Sequence, residues 1–281
     1  MTERVQKLLA VAGVASRREL ERWIGEGRIT INGVTAKLGD KVGPEDEIHV
    51  DGRKINTEAA GQSTRIIVYN KPLGEVCTRS DPEGRPTVFD HLPKTKGERW
   101  VNVGRLDINT SGLLLFTTDG TLANKLMHPS SGVDREYAVR IRGEVDEAMM
   151  ARLKEGVLLE DGLARFTDIQ FFDGEGQNKW FHVALMEGKN REVRRLWESQ
   201  GVTVSRLKRV RYGCVFLPAR IPVGTWVEMN QREANDLYDL VKLARKKIKE
   251  KSVKEKEGFV RQALRQKVRQ EAGRPSKRKP S

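Results

Sequence analysis

Apolar residues recur along this chain with two periods, and the switches between them mark its elements. Val5, Leu8, Leu9 and Ala12 stand at i, i+3, i+4 and i+7, one face of a helix stopping at Gly13. Ser16-Arg17-Arg18-Glu19 has the form of a capping box. Leu20, Trp23 and Ile24 are then the buried face of a second helix, with Gly25 and Gly27 as its stop. Alternation takes over at Ile29 and Ile31, which run into Asn32-Gly33, a strong hairpin-turn pair; Ile48 and Val50 before Asp51-Gly52 repeat the pattern. Residues 57–64, rich in Ala, Gly, Ser and Thr, predict a linker.

A longer series follows. Residues 65–69 form an apolar strand entering Asn70-Lys71-Pro72-Leu73-Gly74, and a long polar loop spans 77–90. Trp100 to Val103 and the run from Leu113 to Phe116 read as two strands around the polar loop Gly104-Arg105-Leu106-Asp107-Ile108-Asn109-Thr110-Ser111-Gly112. Asp119-Gly120-Thr121 opens a helix with Leu122 and Leu126 on one face, ended by His128-Pro129. Tyr137, Val139 and Ile141 alternate onto the inner face of a strand. A helix over 146–155 ends at Gly156, and strands are expected near 157–159, 164–171 and 180–186. Asn190 is placed to cap a helix burying Val193, Leu196 and Trp197. Strands continue through Arg209 to Leu217, and a last helix from about Arg232 carries Leu237, Leu240, Val241, Ala244 and Ile248 on one face. The pattern predicts an α+β protein: a small module over 2–56, the linker 57–64, a main domain over 65–250 and a tail over 251–281.

Charge sharpens that division. The net charge of the 281 residues is +13. Residues 241–281 hold 16 Lys and Arg against 4 Asp and Glu, so the other 240 residues hold 36 against 35. A nearly neutral body with a basic tail points to nucleic acid. Apolar residues thin out in the tail, which is expected to be disordered without a partner. No apolar run approaches the ~20 residues of a membrane helix. Cys77 and Cys214 provide neither a disulfide framework nor metal-ligand spacing, and the chain is expected to be cytoplasmic.

Asp107 sits where catalytic groups are displayed, in a loop held between strands. Asp, Asn, Thr, Ser and Gly are equally ordinary turn residues. Lys71 precedes a proline in a turn, a common structural arrangement. His128 has no visible acid–base partner and reads as a cap. A glycosidase would need two carboxylates across one bond, and the loop holds one. The His-x-Glu and Pro-Cys-x-x-Cys motifs of base deaminases are absent, as are a Walker loop and a dinucleotide fingerprint.

The wording of four separated stretches goes further. Gly104-Arg105-Leu106-Asp107 with Thr110-Ser111-Gly112-Leu113, the earlier Asn70-Lys71-Pro72-Leu73-Gly74, Glu187 to Leu196, and Arg209-Val210-Arg211-Tyr212-Gly213 together resemble the RNA pseudouridine synthases of the RsuA family. The loop 77–90 resembles the type acting on large-subunit ribosomal RNA. Residues 2–56 resemble the RNA-binding module named after ribosomal protein S-four.

The resemblance implies a catalytic domain with a mixed, largely antiparallel sheet, two halves and a cleft between them. It implies isomerisation of one uridine of 23S ribosomal RNA, in a stem-loop near the peptidyl transferase centre, with no metal or cofactor. On the family pattern Asp107 is the catalytic carboxylate, Arg194 pairs with it, and Tyr137 lies against the target base. Arg105 is the group expected to fill the space left by a flipped uridine. Arg17, Arg18, Arg22 and Lys37 in the module, and Lys71, Lys189 and Arg191 in the main domain, are the candidate RNA contacts. A monomer is expected, free of membrane. The competing reading is a non-catalytic RNA-binding ribosome-assembly factor.

Overall fold

The computed structural model describes residues 2–57, 64–95 and 98–249. The N-terminal module has its own core. Strand β1 (Glu3–Arg4) leads into α1 (Val5–Val11) and α2 (Arg17–Gly25). Short strands β2 (Ile29–Ile31), β3 (Val34–Thr35), β4 (Lys41–Val42), β5 (Ile48–Val50) and β6 (Arg53–Lys54) follow. Four of these form a sheet in the order β3-β2-β5-β6, and β1 pairs with β4. Val5, Leu9, Leu20, Ile24, Ile29 and Ile48 pack between helices and strands. Both hairpin turns need positive φ at two successive positions, and Asn32-Gly33 (49° and 82°) and Asp51-Gly52 (50° and 75°) supply it. The Ser16 cap forms by half: its Oγ accepts the Glu19 N–H at 3.2 Å. The Glu19 carboxylate turns instead to Arg22 and the Trp23 indole, so the reciprocal bond of a capping box is not made.

The main domain is built on β7 (Ile66–Lys71), β8 (Val101–Val103), β9 (Ser111–Thr117), α3 (Gly120–Met127), β10 (Arg135–Arg142), α4 (Glu147–Glu155), β11 (Val157–Leu159), β12 (Gly162–Ala164), β13 (Asp168–Glu175), β14 (Asn178–Leu185), α5 (Glu192–Glu198), β15 (Thr203–Tyr212), β16 (Val215–Phe216), β17 (Trp226–Glu228) and α6 (Gln231–Leu240). Nine strands form one sheet in the order β13-β14-β10-β15-β9-β7-β17, with β16 on β15 and β8 on β9. Every pairing is antiparallel except the central β9–β15 contact, which is parallel and short, Lys208 opposite Ser111 and Arg209 opposite Gly112. That seam divides the sheet into two halves. Gly112 is what lets the halves meet: a Cβ there would lie 2.3 Å from the Arg209 carbonyl oxygen, and its φ of +100° suits only glycine.

On one face α3 and α6 close over Ile66, Val68, Leu113 and Leu115. Asp119 caps α3, accepting the N–H groups of Thr121 and Leu122. Asn230 and Glu233 form a complete capping box on α6. Beyond the seam, Phe166, Phe181 and Trp197 pack ring on ring, linking β14 to α5.

The last helix is shorter than its apolar spacing predicts. It stops at Leu240 because Lys242 adopts φ +55°, and the Leu243 N–H bonds back to the Tyr238 carbonyl at 2.9 Å. This is a Schellman turn closed by lysine where glycine is usual. Leu240 is consequently 38% exposed, and Ile248 reaches the core separately, bridging Thr64 in parallel. Most of the expected linker, residues 58–63, and the tail from 250 onward lie outside the described residues.

Candidate active site

The loop after β8 is fixed from below by a buried cation. Lys71, the last residue of β7, is fully buried. Its ammonium donates to the carbonyls of Pro72 (3.0 Å), Asp107 (3.2 Å) and Thr110 (2.9 Å). Two of those carbonyls belong to the Asp107 loop, one at each end of its turn. Lys71 is therefore not an RNA contact: no surface remains, and every donor is spent on backbone. Burial also presses its pKa below the ordinary lysine value. Three further contacts complete the clamp. The Thr110 N–H closes the turn on the Asp107 carbonyl (2.9 Å), and the Gly74 N–H holds the Ile108 carbonyl (2.9 Å). The Cys77 thiol donates to the Leu106 carbonyl at 3.2 Å and accepts the Leu106 N–H at 3.4 Å. Burial pushes that thiol above the ordinary cysteine range.

Above the loop opens a cleft of about 400 Å³ lined by Arg105, Asp107, Tyr137, Lys189, Arg191 and Arg209, among others. It lies along the seam between the two halves of the sheet. Asp107 is half-buried and Arg105 is exposed. Tyr137, on β10, stands opposite Val183 on one side and Arg209 on the other. It is 8% exposed. Arg209 is buried and donates from Nε to the Leu113 carbonyl at 2.8 Å. One of its terminal nitrogens has no hydrogen-bond partner among the described residues, and its guanidinium sits 5.1 Å from the Tyr212 ring centre. Lys189 donates to the Leu163 carbonyl (2.8 Å) and pairs with Glu187 (3.2 Å).

Arg194 departs from the expected pairing. Its guanidinium donates to the carbonyls of Val204 (2.9 Å) and Asn109 (2.8 Å), and no bond to the Asp107 carboxylate forms. It thus ties the Asp107 loop to β15 from behind. Burial and the like charge of Arg191 press its pKa below the usual arginine range, while the nearby Asp107 charge acts the other way. Asn190 does not cap α5. Arg191 occupies the cap position in the left-handed region (φ 49°), and the buried Glu192 carboxylate accepts the Lys189 N–H at 2.9 Å.

Arg17, Arg18, Arg22 and Lys37 are all exposed on the N-terminal module and do not line the cleft. Arg22 is occupied by Glu19 and Glu26 of its own helix. His128 is local: its Nδ1 accepts the Ser130 N–H at 3.2 Å. Among the described residues no group of three or more His, Cys, Asp and Glu is placed to hold a metal, and no helix is long and apolar enough to cross a membrane.

The sequence pattern did not single out Arg209 or Cys77 as parts of the site, or Lys71 as a clamp. For Arg209 a signal exists. It falls in phase with Leu207 on β15, so a charged residue occupies an inward position where an apolar one is expected.

Comparison with known proteins matches this architecture. Residues 65–199 match the RNA pseudouridylate synthase family model, and residues 3–48 match the S4 domain. A solved pseudouridylate synthase crystal structure superposes with a TM-score of 0.59 at 25% identity, covering 83% of this chain and 99% of that one. The chain belongs to the RNA pseudouridine synthase family. Within it, a Pseudomonas aeruginosa protein is 61% identical over 243 residues, 86% of this chain. A Haemophilus influenzae protein is 54% identical over 270 residues, 93% of this chain. Both are named ribosomal large subunit pseudouridine synthase B. The matched region spans 63% of the first relative, under two thirds of its length, and 76% of the second.

Proposed function

We propose that this chain isomerises one uridine of 23S ribosomal RNA to pseudouridine, with Asp107 as the essential carboxylate. The reaction breaks the bond from the ribose C1′ to N1 of uracil, rotates the base and joins C1′ to C5. The C5 proton is lost and N1 gains one, so atoms and electrons balance without redox chemistry. The observation that carries the reading is the state of the two carboxylates lining the cleft. Glu192 is buried and engaged by the Lys189 N–H, whereas the half-buried Asp107 carboxylate lines the cleft on a loop held through its backbone.

The other roles follow from position. A uridine within RNA structure has to leave its stack to reach Asp107. Tyr137 then offers an aromatic face to the base. Arg105, exposed at the cleft rim, fills the vacated space. Lys189 and Arg191, which also line the cleft, meet phosphate there, and Arg17, Arg18 and Lys37 do so on the N-terminal module. Lys71, Arg194 and Cys77 are positioning residues, acting on the Asp107 loop rather than on substrate. The chain acts as a cytoplasmic monomer on a stem-loop of the RNA, and its domains follow the boundaries 2–56 and 65–250.

Mapping pseudouridine in ribosomal RNA from cells lacking this protein, and again after its restoration, tests the proposal. One position should lose and regain the modification. An unchanged map would leave the chain a non-catalytic assembly factor.

A further inference from the structure

The strands that turn Tyr137, Val139 and Leu207 toward the cleft and core present a second surface on their other face. Its layout follows from the register. Arg140 on β10 stands between Trp180 on β14 and Arg206 on β15, and Ala138 stands between His182 and Lys208. A register shift in β13 between Phe171 and Asp173 leaves Phe172 out of the ladder. Its ring meets His182 edge-on at 4.8 Å and lies 6.3 Å from Trp180. Bulges of this kind re-aim a side chain. Three aromatic rings therefore flank one side of Ala138 and two cations the other, with Arg140 between them on the strand that carries Ala138.

This face is open. Phe172 is 54% exposed, Arg206 is exposed, and Trp180, His182, Arg140 and Lys208 are half-exposed. Arg140 lies 5.9 Å from the Trp180 ring and donates to the Ser205 hydroxyl at 2.9 Å. Arg206 and Lys208 form no ion pair among the described residues. Two carboxylates of the face have partners. Glu136 is held by His182 and by Arg211, each at 2.9 Å, and Asp173 accepts the Gly174 N–H at 2.8 Å. Aromatic rings beside unpaired guanidinium and ammonium groups suit unpaired bases and their phosphates.

We infer that this face is a second RNA-binding surface, a stacking platform for a short unpaired segment lying across the sheet from the cleft. The inference rests on the proposal that the chain acts on RNA. The segment it holds is distinct from the one presenting the target uridine, because the sheet separates the two faces.

The test is binding of an oligoadenylate decamer, which contains no uridine, to the full chain at raised salt, where the basic tail contributes least. Phe172→Tyr should bind as the wild type does. Phe172→Leu should lose roughly tenfold, the scale of one base–aromatic stack. Arg206→Glu should weaken binding and flatten its salt dependence. All three substitutions are at exposed positions, and equal melting temperatures establish that the fold is kept. If Phe172→Leu weakens the decamer while the wild type makes no pseudouridine, the functional proposal fails and the platform stands. If Phe172→Leu and Arg206→Glu both bind as the wild type does, the platform is overturned, whatever the turnover.

Discussion

Lys71→Met is the sharpest probe of how the site is held. Methionine fills nearly the same apolar volume as the lysine stem and removes only the ammonium. Three carbonyls then lose a donor, those of Pro72, Asp107 and Thr110. The Asp107 carbonyl still accepts the Thr110 N–H at 2.9 Å, so the loss falls mainly on the other two. A buried carbonyl left without its partner costs about 1–3 kcal/mol. Removing a desolvated charge gives part of that back, since burial already presses the lysine pKa down. The net cost is about 2–4 kcal/mol, roughly 5–15 °C in Tm for a domain of this size. The second consequence is kinetic. A loop released at both ends no longer holds Asp107 in one place, so kcat should fall by more than tenfold while KM for RNA changes little. Thermal melting and steady-state turnover on the same preparation measure both. If the variant melts and turns over as the wild type does, the clamp is not what positions Asp107.

Other perturbations separate the remaining roles. Arg194→Ala should cut turnover and cost about 2–4 kcal/mol, since the Val204 and Asn109 carbonyls both lose a charged donor; melting measured beside activity shows how much of the loss is unfolding. Glu75 is buried and accepts the Tyr69 hydroxyl at 2.7 Å. Burial raises its pKa, although the Tyr69 bond and the charges of His91 and Lys71 pull the other way. A raised carboxyl contributes its stability fully below the unfolded value of 4.5 and loses it as pH climbs through the folded value. Glu75→Gln should therefore gain Tm relative to the wild type between pH 4.5 and neutrality, and parallel curves would contradict the sign. Deleting residues 252–281 should leave turnover at saturating RNA intact but flatten the plot of log affinity against log salt, by roughly 0.7 for each phosphate that the shortened chain no longer neutralises.

Much of the fold, and the loop at its site, was legible where local chemistry decides the backbone. Asn32-Gly33 and Asp51-Gly52 demanded positive φ and took it, Asp119 capped its helix, and the glycine-bounded loop carried Asp107 between two strands. What escaped depended on contacts between distant segments. Lys71 reads as a surface lysine before a turn, and only the approach of a loop 36 residues later makes it a buried clamp. The expected Arg194–Asp107 pair is replaced by a bond to the neighbouring Asn109 carbonyl, a choice of acceptor within one loop that motif spacing does not resolve. The end of α6 was missed because a lysine, not a glycine, adopts the left-handed turn. The parallel seam between β9 and β15 pairs residues 97 apart, beyond any periodicity of the chain.

On the reading proposed above, isomerisation of a uridine in large-subunit ribosomal RNA depends on the Asp107 carboxylate. The most direct measurement incubates unmodified large-subunit RNA with the purified wild-type chain and with Asp107→Asn, and counts pseudouridine formed per RNA. Asparagine keeps the shape of the side chain and the backbone clamp but removes the charge. One pseudouridine per RNA is expected from the wild type and none from the variant, with RNA affinity largely retained. Near-normal turnover by Asp107→Asn, or no product from a folded, RNA-binding wild type, would contradict that reading.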